Sequence, residues 1–133
     1  MKLFLAALLL AIAIPAQKGR PRPVPGPKPP EVQLVEIRVH REPRIVAVEG
    51  RVRNNSDRSF KGLVLFFEFL ESDGKMISRK NTLVTSNPMA PGDDTEFITQ
   101  TPDQARAVHI RVEAEDKDGR YLRVDKPGPY AIE

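Results

Sequence analysis

Apolar and polar residues alternate along most of the chain after residue 31, and this pattern limits the fold more than any other feature. Val35, Ile37 and Val39 alternate with charged or polar neighbours. A period of two places such residues on one face of a half-buried β-strand. No long stretch of this region repeats with a helical period. The region is therefore predicted to be all-β.

Turn-forming residues separate the alternating runs at short intervals. Asp73-Gly74 and Asp118-Gly119 are typical of hairpins, and Arg41-Glu42-Pro43 is expected to connect the first two strands. About seven strands are predicted, at residues 32–41, 46–53, 63–70, 76–85, 95–100, 108–114 and 121–124. This pattern favours an antiparallel immunoglobulin-like β-sandwich over a small barrel, with a single helical turn at 102–105.

The run Leu63 to Leu70 is apolar on both faces apart from Glu68, which indicates a strand in the middle of its sheet. Leu65, Phe67 and Phe69 are predicted to share one face of that strand. This run is therefore the expected centre of the hydrophobic core.

The N-terminal segment has the features of a signal peptide over residues 1–16. A basic residue, Lys2, precedes an apolar run of twelve residues from Leu3 to Ile14. That run is too short to span a hydrocarbon layer of about 30 Å. Cleavage is expected after Pro15-Ala16, with Ala11-Ile12-Ala13 as a second candidate. The sequence thus predicts export to the periplasm or the cell exterior, without stable membrane insertion once the leader is removed.

Residues 17–30 form a basic proline-rich linker, with six prolines and four basic residues in fourteen positions. Such a composition favours an extended polyproline II spacer. Two interpretations stay open, a solvated spacer and an electrostatic tether to an anionic surface. The predicted β-sandwich domain then covers residues 31–133.

The positive charge of the chain belongs to its N-terminal part. The net charge is +3, yet residues 1–30 contain five basic residues and no acid, whereas residues 31–133 contain 16 basic and all 18 acidic residues. The predicted domain is therefore slightly acidic, which argues against nucleic acid as a partner. The chain also has no cysteine, so disulfides, thiolate catalysis and lipid attachment through cysteine are excluded.

Motifs along the chain resemble the FxLYD family of small bacterial and archaeal immunoglobulin-like domains, from about Val46 to Val124. The motifs are Val48 to Ser56 with its glycine and asparagine turn, Phe67-Glu68-Phe69-Leu70-Glu71 at the place of the family's namesake motif, and Ala90-Pro91-Gly92-Asp93 with Phe97. Phe69, Leu70 and Glu71 replace the family's leucine, tyrosine and aspartate. The resemblance implies an extracytoplasmic β-sandwich that is usually appended to other modules, and it implies no activity.

Three groups of residues are candidate sites, each with a plainer interpretation beside it. His40 and His109 could bind a metal if their strands were neighbours, and the plainer interpretation is two solvent-facing strand histidines with no role. Glu113, Glu115, Asp116 and Asp118 surround a turn but lack the spacing of a calcium loop, so a solvated hairpin is the plainer interpretation. Asn54-Asn55-Ser56 matches a glycosylation acceptor, although a turn in left-handed geometry would also explain both asparagines.

No catalytic constellation is recognisable, because no serine lies in a G-x-S-x-G elbow and no phosphate-binding glycine loop occurs. We therefore predict no catalytic, cofactor-binding or metal-binding residues and no cofactor. The leading hypothesis is a non-catalytic, exported binding or structural module of the cell envelope or periplasm that presents a loop or an edge strand, at 32–41 or 76–85, to an envelope protein. The alternative is a metal or small-ligand carrier that uses His40 and His109 or the acidic turn.

Overall fold

The computed structural model describes residues 29–133, and these residues fold into a β-sandwich of two antiparallel sheets. Its strands are β1 (Val32–Glu42), β2 (Ile45–Asn54), β3 (Leu63–Leu70), β4 (Met76–Thr85), β5 (Asp94–Pro102), β6 (His109–Glu115), β7 (Tyr121–Leu122) and β8 (Tyr130–Ala131). The predicted all-β sandwich is confirmed. The predicted signal peptide and nearly all of the predicted linker lie outside the described residues.

The first sheet has the order β1-β2-β5, and the second has the order β4-β3-β6-β7, with β8 also paired to β6. β4 pairs with β3 and therefore belongs to the second sheet, whereas constant-type immunoglobulin domains place their fourth strand on the first sheet. β4 and β5 consequently lie on the same lateral side of the sandwich, at the edges of different sheets.

The core lies between the two sheets and is centred on β3, as the sequence predicts. Leu65, Phe67 and Phe69 are all at most 1% exposed. The rings of Phe67 in one sheet and Phe97 in the other stack with their centroids 6.1 Å apart. This contact joins the two layers directly.

A β-bulge in β1 brings two strands unusually close together at Gly50. The register between β1 and β2 shifts between Leu34 and Glu36. A Cβ atom at Gly50 would lie 2.1 Å from the carbonyl oxygen of Glu36. Only glycine fits this position, because the clashing atom belongs to the backbone and cannot rotate away.

Two predicted turns are displaced in the structure. β1 continues through Glu42, so the first hairpin turns at Pro43-Arg44, and Arg44 takes a left-handed conformation with φ of 71°. The helical turn predicted at 102–105 is wrong, because β5 runs to Pro102 and a single turn follows at 104–107. β1 thus ends directly before Pro43, and β5 ends at Pro102 itself, because a proline cannot donate a further ladder hydrogen bond.

The strand β8 is absent from the sequence prediction. Its two residues pair with His109 and Ile110 of β6, after a segment rich in proline and glycine. No helix capable of crossing a bilayer occurs in the part of the chain that the structure describes.

Candidate binding edge of the second sheet

The two lateral sides of the sandwich differ in how their strand edges are paired. One side is formed by β1, β7 and β8, and the other by β4 and β5. An unpaired strand edge exposes a row of backbone donors and acceptors that another chain can use. The state of each edge therefore decides where an extended partner could bind.

Backbone hydrogen bonds close both ends of the β1 edge. At its start, the amide of Val32 donates to Arg123 O at 3.0 Å, and Val32 O accepts from the amide of Asp125 at 3.0 Å. At its end, the amide of Arg41 donates to Glu133 O at 2.6 Å. Only a short window of β1 is left between these two closures.

A side chain extends the first closure by one residue pair. Asp125 Oδ1 accepts the amide hydrogen of Leu34 at 2.9 Å, although the two residues are 91 positions apart in sequence. The window that remains borders a cavity of about 470 Å³, whose lining includes Ile37, His40 and Tyr130. A segment of only a few residues would fit against β1.

The outer edge of β4 has no strand beside it in residues 29–133. On its other side β4 pairs with β3, and the register of this pair is regular from Ser78 to Leu83 with a shift beyond each end. Three consecutive residues at its centre, Arg79, Lys80 and Asn81, are exposed. Met76 and Leu83, near the ends of the strand, are 50% and 57% exposed. A ten-residue edge with apolar contacts near both ends is thus available.

Arg79 belongs to a group of charges on the outer face of the second sheet. Its guanidinium lies over the Phe66 ring at 4.0 Å and is 3.6 Å from the Glu68 carboxylate. That same carboxylate is 3.2 Å from Arg111. The single Glu68 carboxylate is therefore shared by two guanidiniums.

The edge of β5 is the second open edge on this side, and the sequence analysis did not propose it. In the described residues β5 pairs with β2 alone, and Ile98 at its centre is 66% exposed. Its acidic residues Asp94 and Glu96 are 3.1 Å and 2.7 Å from the guanidinium of Arg51. Most of the charge on the β5 edge is thus balanced within the sheet.

The structure places the two histidines in different sheets. His40 lies in β1, where its Nε2 is 2.7 Å from Glu42 Oε2, and His109 lies in β6. The condition for a shared metal site, that their strands be neighbours, is not met. No group of three histidine or carboxylate side chains in residues 29–133 is arranged to hold a metal ion.

The acidic turn after β6 is organised by one buried carboxylate. Asp116 is 5% exposed, and its Oδ1 accepts the amide hydrogens of Asp118 at 3.0 Å and Arg120 at 2.9 Å. These bonds close the hairpin between β6 and β7. The expectation of a fully solvated hairpin is therefore wrong for Asp116.

Asn54, the acceptor of the candidate glycosylation motif, is completely buried. Its side-chain amide donates to Arg58 O at 2.9 Å and to Met89 O at 2.8 Å, and its Oδ1 accepts from the Ser56 amide at 2.9 Å. No glycan can be attached to this nitrogen in the folded domain. Asn54 joins the loop after β2 to the crossover between β4 and β5.

The proposed left-handed geometry of the asparagines is also wrong. Among the non-glycine residues of 29–133, a positive φ is found at Arg44 alone. Asn54 is placed by its hydrogen bonds, which satisfy both hydrogens and the oxygen of a buried amide.

An ion-pair cluster at the start of β1 was not anticipated from the sequence. The Glu31 carboxylate is 6% exposed and contacts the guanidiniums of Arg58 and Arg120, the latter at 3.2 Å. Both arginines come from turns that lie far from Glu31 in sequence. No local pattern could reveal the cluster, because charged residues at a predicted domain boundary are ordinary.

Both tyrosines lie on the closed side of the sandwich. Partial burial raises the pKa of Tyr121 above its usual value, and the nearby Glu113 carboxylate raises it further. Burial, followed by the negative charge of Asp125, also raises the pKa of Tyr130. The Tyr130 hydroxyl donates to the carbonyl oxygen of Lys126.

Several solved structures match about three quarters of this chain. β-Glucuronidase 2 of Bacteroides uniformis matches 77% of this chain with a TM-score of 0.56 and 12% identity, over 14% of its own length. A β-glucuronidase of glycoside hydrolase family 2 matches 77% of the chain with a TM-score of 0.52 and 14% identity, over 13% of its length. IrmA of Escherichia coli has a TM-score of 0.46 and 12% identity, over 77% of this chain and 95% of its own.

The chain spans about a seventh of the length of the two β-glucuronidases. At these identities the likeness concerns the fold alone, and it agrees with the two-sheet architecture. No protein-family model matches the chain, and no curated protein matches it. The resemblance to the FxLYD family stays a prediction.

Proposed function

We propose that this protein is a non-catalytic, exported module that binds a partner protein of the cell envelope by adding an extended segment of the partner to the edge of β4. The observation that carries the proposal is the open, ten-residue edge of β4 beside a β1 edge that is closed at both ends. Strand addition takes its affinity from main-chain hydrogen bonds and its selectivity from the flanking side chains.

The dimensions of the β4 edge suit this mode of binding. Ten residues at about 3.3 Å each present roughly 33 Å of unpaired backbone. The exposed Met76 and Leu83 offer apolar contacts near both ends. The window left on β1 is much shorter, and the acidic residues of β5 are engaged with Arg51. β4 is thus better suited to strand addition than β1 or β5.

The non-catalytic part of the proposal rests on the chemistry of the polar side chains. His40 is engaged with Glu42, and no hydrogen bond joins a histidine to a serine anywhere in residues 29–133. The buried polar residues Asn54 and Asp116 are satisfied within loops and turns. Export is inferred from the predicted leader at 1–16, and the predicted linker at 17–30 would set the distance between the domain and its attachment point.

Site-specific photocrosslinking tests the proposal in the full chain. A photoreactive residue replaces Leu83 at the β4 edge, Ile98 at the β5 edge or Ala131 on the closed side, and each variant is illuminated in cells. We expect a discrete adduct with another protein from the position of Leu83, and weak or no adducts from the other two positions. Fractionation of the same cells should place the adduct in the envelope.

Adducts of equal intensity at all three positions, or a discrete adduct only at Ile98 or Ala131, would contradict binding at β4. Recovery of the full-length chain from the cytosol alone would contradict export.

A further inference from the structure

The charges at the centre of the β4 edge indicate the chemistry of the segment that would bind there. Arg79 is in register with Glu68, and Lys80 is in register with Phe67. Because side chains of successive residues point to opposite faces of a strand, Arg79 lies on the outer face of the second sheet and Lys80 on the opposite face. Two adjacent cations thus flank the edge, one on each face.

Neither cation is neutralised by β4 itself, because the ten residues of this strand include no acid. Arg79 shares the single Glu68 carboxylate with Arg111. Lys80 is exposed, and no carboxylate in residues 29–133 lies within ion-pair distance of it. An added strand would therefore meet a guanidinium that shares its only carboxylate on one face and an ammonium without an ion-pair partner in residues 29–133 on the other.

We infer that the segment recognised at β4 is an extended strand with adjacent acidic residues at its centre, one carboxylate facing Arg79 and the next facing Lys80. The inference rests on the proposed strand addition and adds the chemistry of the partner. Adjacent residues of a strand point to opposite faces, so two consecutive acids are the simplest match to this pair of cations.

A second β4 edge is a poor occupant of the same position. Pairing of two copies through β4 would bring their arginines and lysines together, and like charges opposite one another destabilise a pair of strands. The acidic β5 edge of a second copy is a weaker match than a free acidic strand, since Asp94 and Glu96 already contact Arg51.

Short synthetic peptides test the inference with the full chain as the binding protein. The first probe alternates threonine and valine around two central glutamates. The second probe has two glutamines at the centre, and the third has two lysines. A fourth probe repeats the glutamate peptide with N-methyl groups on the alternate amides that would face β4. Fluorescence anisotropy gives a dissociation constant for each probe.

We expect the glutamate peptide to bind roughly three- to tenfold more tightly than the glutamine peptide, the range that two exposed ion pairs provide. The lysine and N-methylated peptides should bind more weakly than the glutamine peptide. The advantage of glutamate over glutamine should shrink as salt is raised, because exposed charges are screened. In the variant Lys80→Glu that advantage should disappear, whereas Lys126→Glu, an exposed lysine on the other lateral side, should preserve it.

Equal binding of the glutamate and glutamine peptides would overturn the acidic partner and leave strand addition standing. Undiminished binding of the N-methylated peptide would instead overturn strand addition at β4. Concentration-dependent assembly in analytical ultracentrifugation that Lys80→Glu abolishes would make a second copy the occupant, and would also overturn the inference.

Discussion

The side of the sandwich that contains β1 and the side that contains β4 differ in whether the outer strand edge is covered by hydrogen bonds. Both end in an edge strand of ten or eleven residues. The β1 edge is closed by bonds from Arg123, Asp125 and Glu133, which belong to or adjoin very short strands. The β4 edge has exposed polar residues and no such closure. Closure thus depends on a few residues of the C-terminal segment rather than on the edge strand itself.

Gly50→Ala should produce the largest effect, because it pushes the bulge of β1 away from β2. The added Cβ would meet the backbone oxygen of Glu36 at 2.1 Å, and we expect a loss of about 3–5 kcal/mol in the free energy of unfolding. Urea denaturation measures it. In the control Gly74→Ala, the Cβ enters open space and only the positive φ is costly, at about 1–2 kcal/mol. Equal losses would show that the close approach at Gly50 does not matter.

Asn54→Ala should have the second-largest effect on stability, and it tests the crossover between β4 and β5 on the open side. The change removes one of the two donors to each of the carbonyls of Arg58 and Met89. It also removes the acceptor of the Ser56 amide, and we expect a loss of about 2–3 kcal/mol. The neighbouring Asn55 is exposed, so Asn55→Ala should stay within about 0.5 kcal/mol of the unmodified protein. Thermal unfolding of the pair decides whether burial of Asn54 stabilises the crossover.

Asp125→Ala should shorten the first closure of β1 by one residue pair, at a smaller cost. The Leu34 amide loses its acceptor, which should lower the unfolding free energy by about 1–2 kcal/mol. Amide exchange at Leu34 should accelerate in the same variant. Asp125→Asn keeps an acceptor oxygen and should restore most of the protection. Unchanged exchange in the alanine variant would mean that the side chain does not close this edge.

Lys80→Glu should leave stability within about 0.5 kcal/mol, since Lys80 lies on an exposed edge with no ion-pair partner in residues 29–133. Chemical denaturation of Lys80→Glu and of Asp125→Ala, measured in parallel, compares how much each side contributes to stability. A loss as large as that of Asp125→Ala would show that the β4 edge stabilises the fold, which would weaken its assignment as a binding surface.

Alkaline pH should weaken the closed side slightly through its two tyrosines. Because the folded state raises the pKa of Tyr121 and Tyr130 above the unfolded value, their contribution is complete below about pH 10 and is lost as the pH rises through the raised values. Urea unfolding at about pH 9 and about pH 11 should show the decline. The double variant Tyr121→Phe, Tyr130→Phe should show a smaller decline, and an identical one would exclude the tyrosines.

Elements whose signal is local were predicted closely from the sequence. The bounds of β3 and β4 coincide with the predicted strands. Turn-forming residues lie before and after both segments and therefore mark their ends. The inward face of Leu65, Phe67 and Phe69 follows directly from the period of two. Both predicted edge strands are edges in the structure, whereas the edge at β5 was missed.

Features that depend on distant residues could not be predicted. The bond between Leu34 and Asp125 joins positions 91 residues apart, and the pair of Glu31 and Arg120 spans 89 residues. Alternation locates a strand but does not say which segment lies beside its edge. The sequence therefore proposed two equivalent edges and could not tell that one of them is closed.

The ion pairs of Glu31 also lie where tension along the N-terminal segment would first reach the domain. Whatever precedes Pro29 joins the fold at a carboxylate held by Arg58 and Arg120, and at amides of Glu31 and Val32 that both donate to Arg123 O. Tension arriving along the N-terminal segment would be transmitted first to these contacts and to the closed side. β4 lies on the opposite lateral side, away from these contacts.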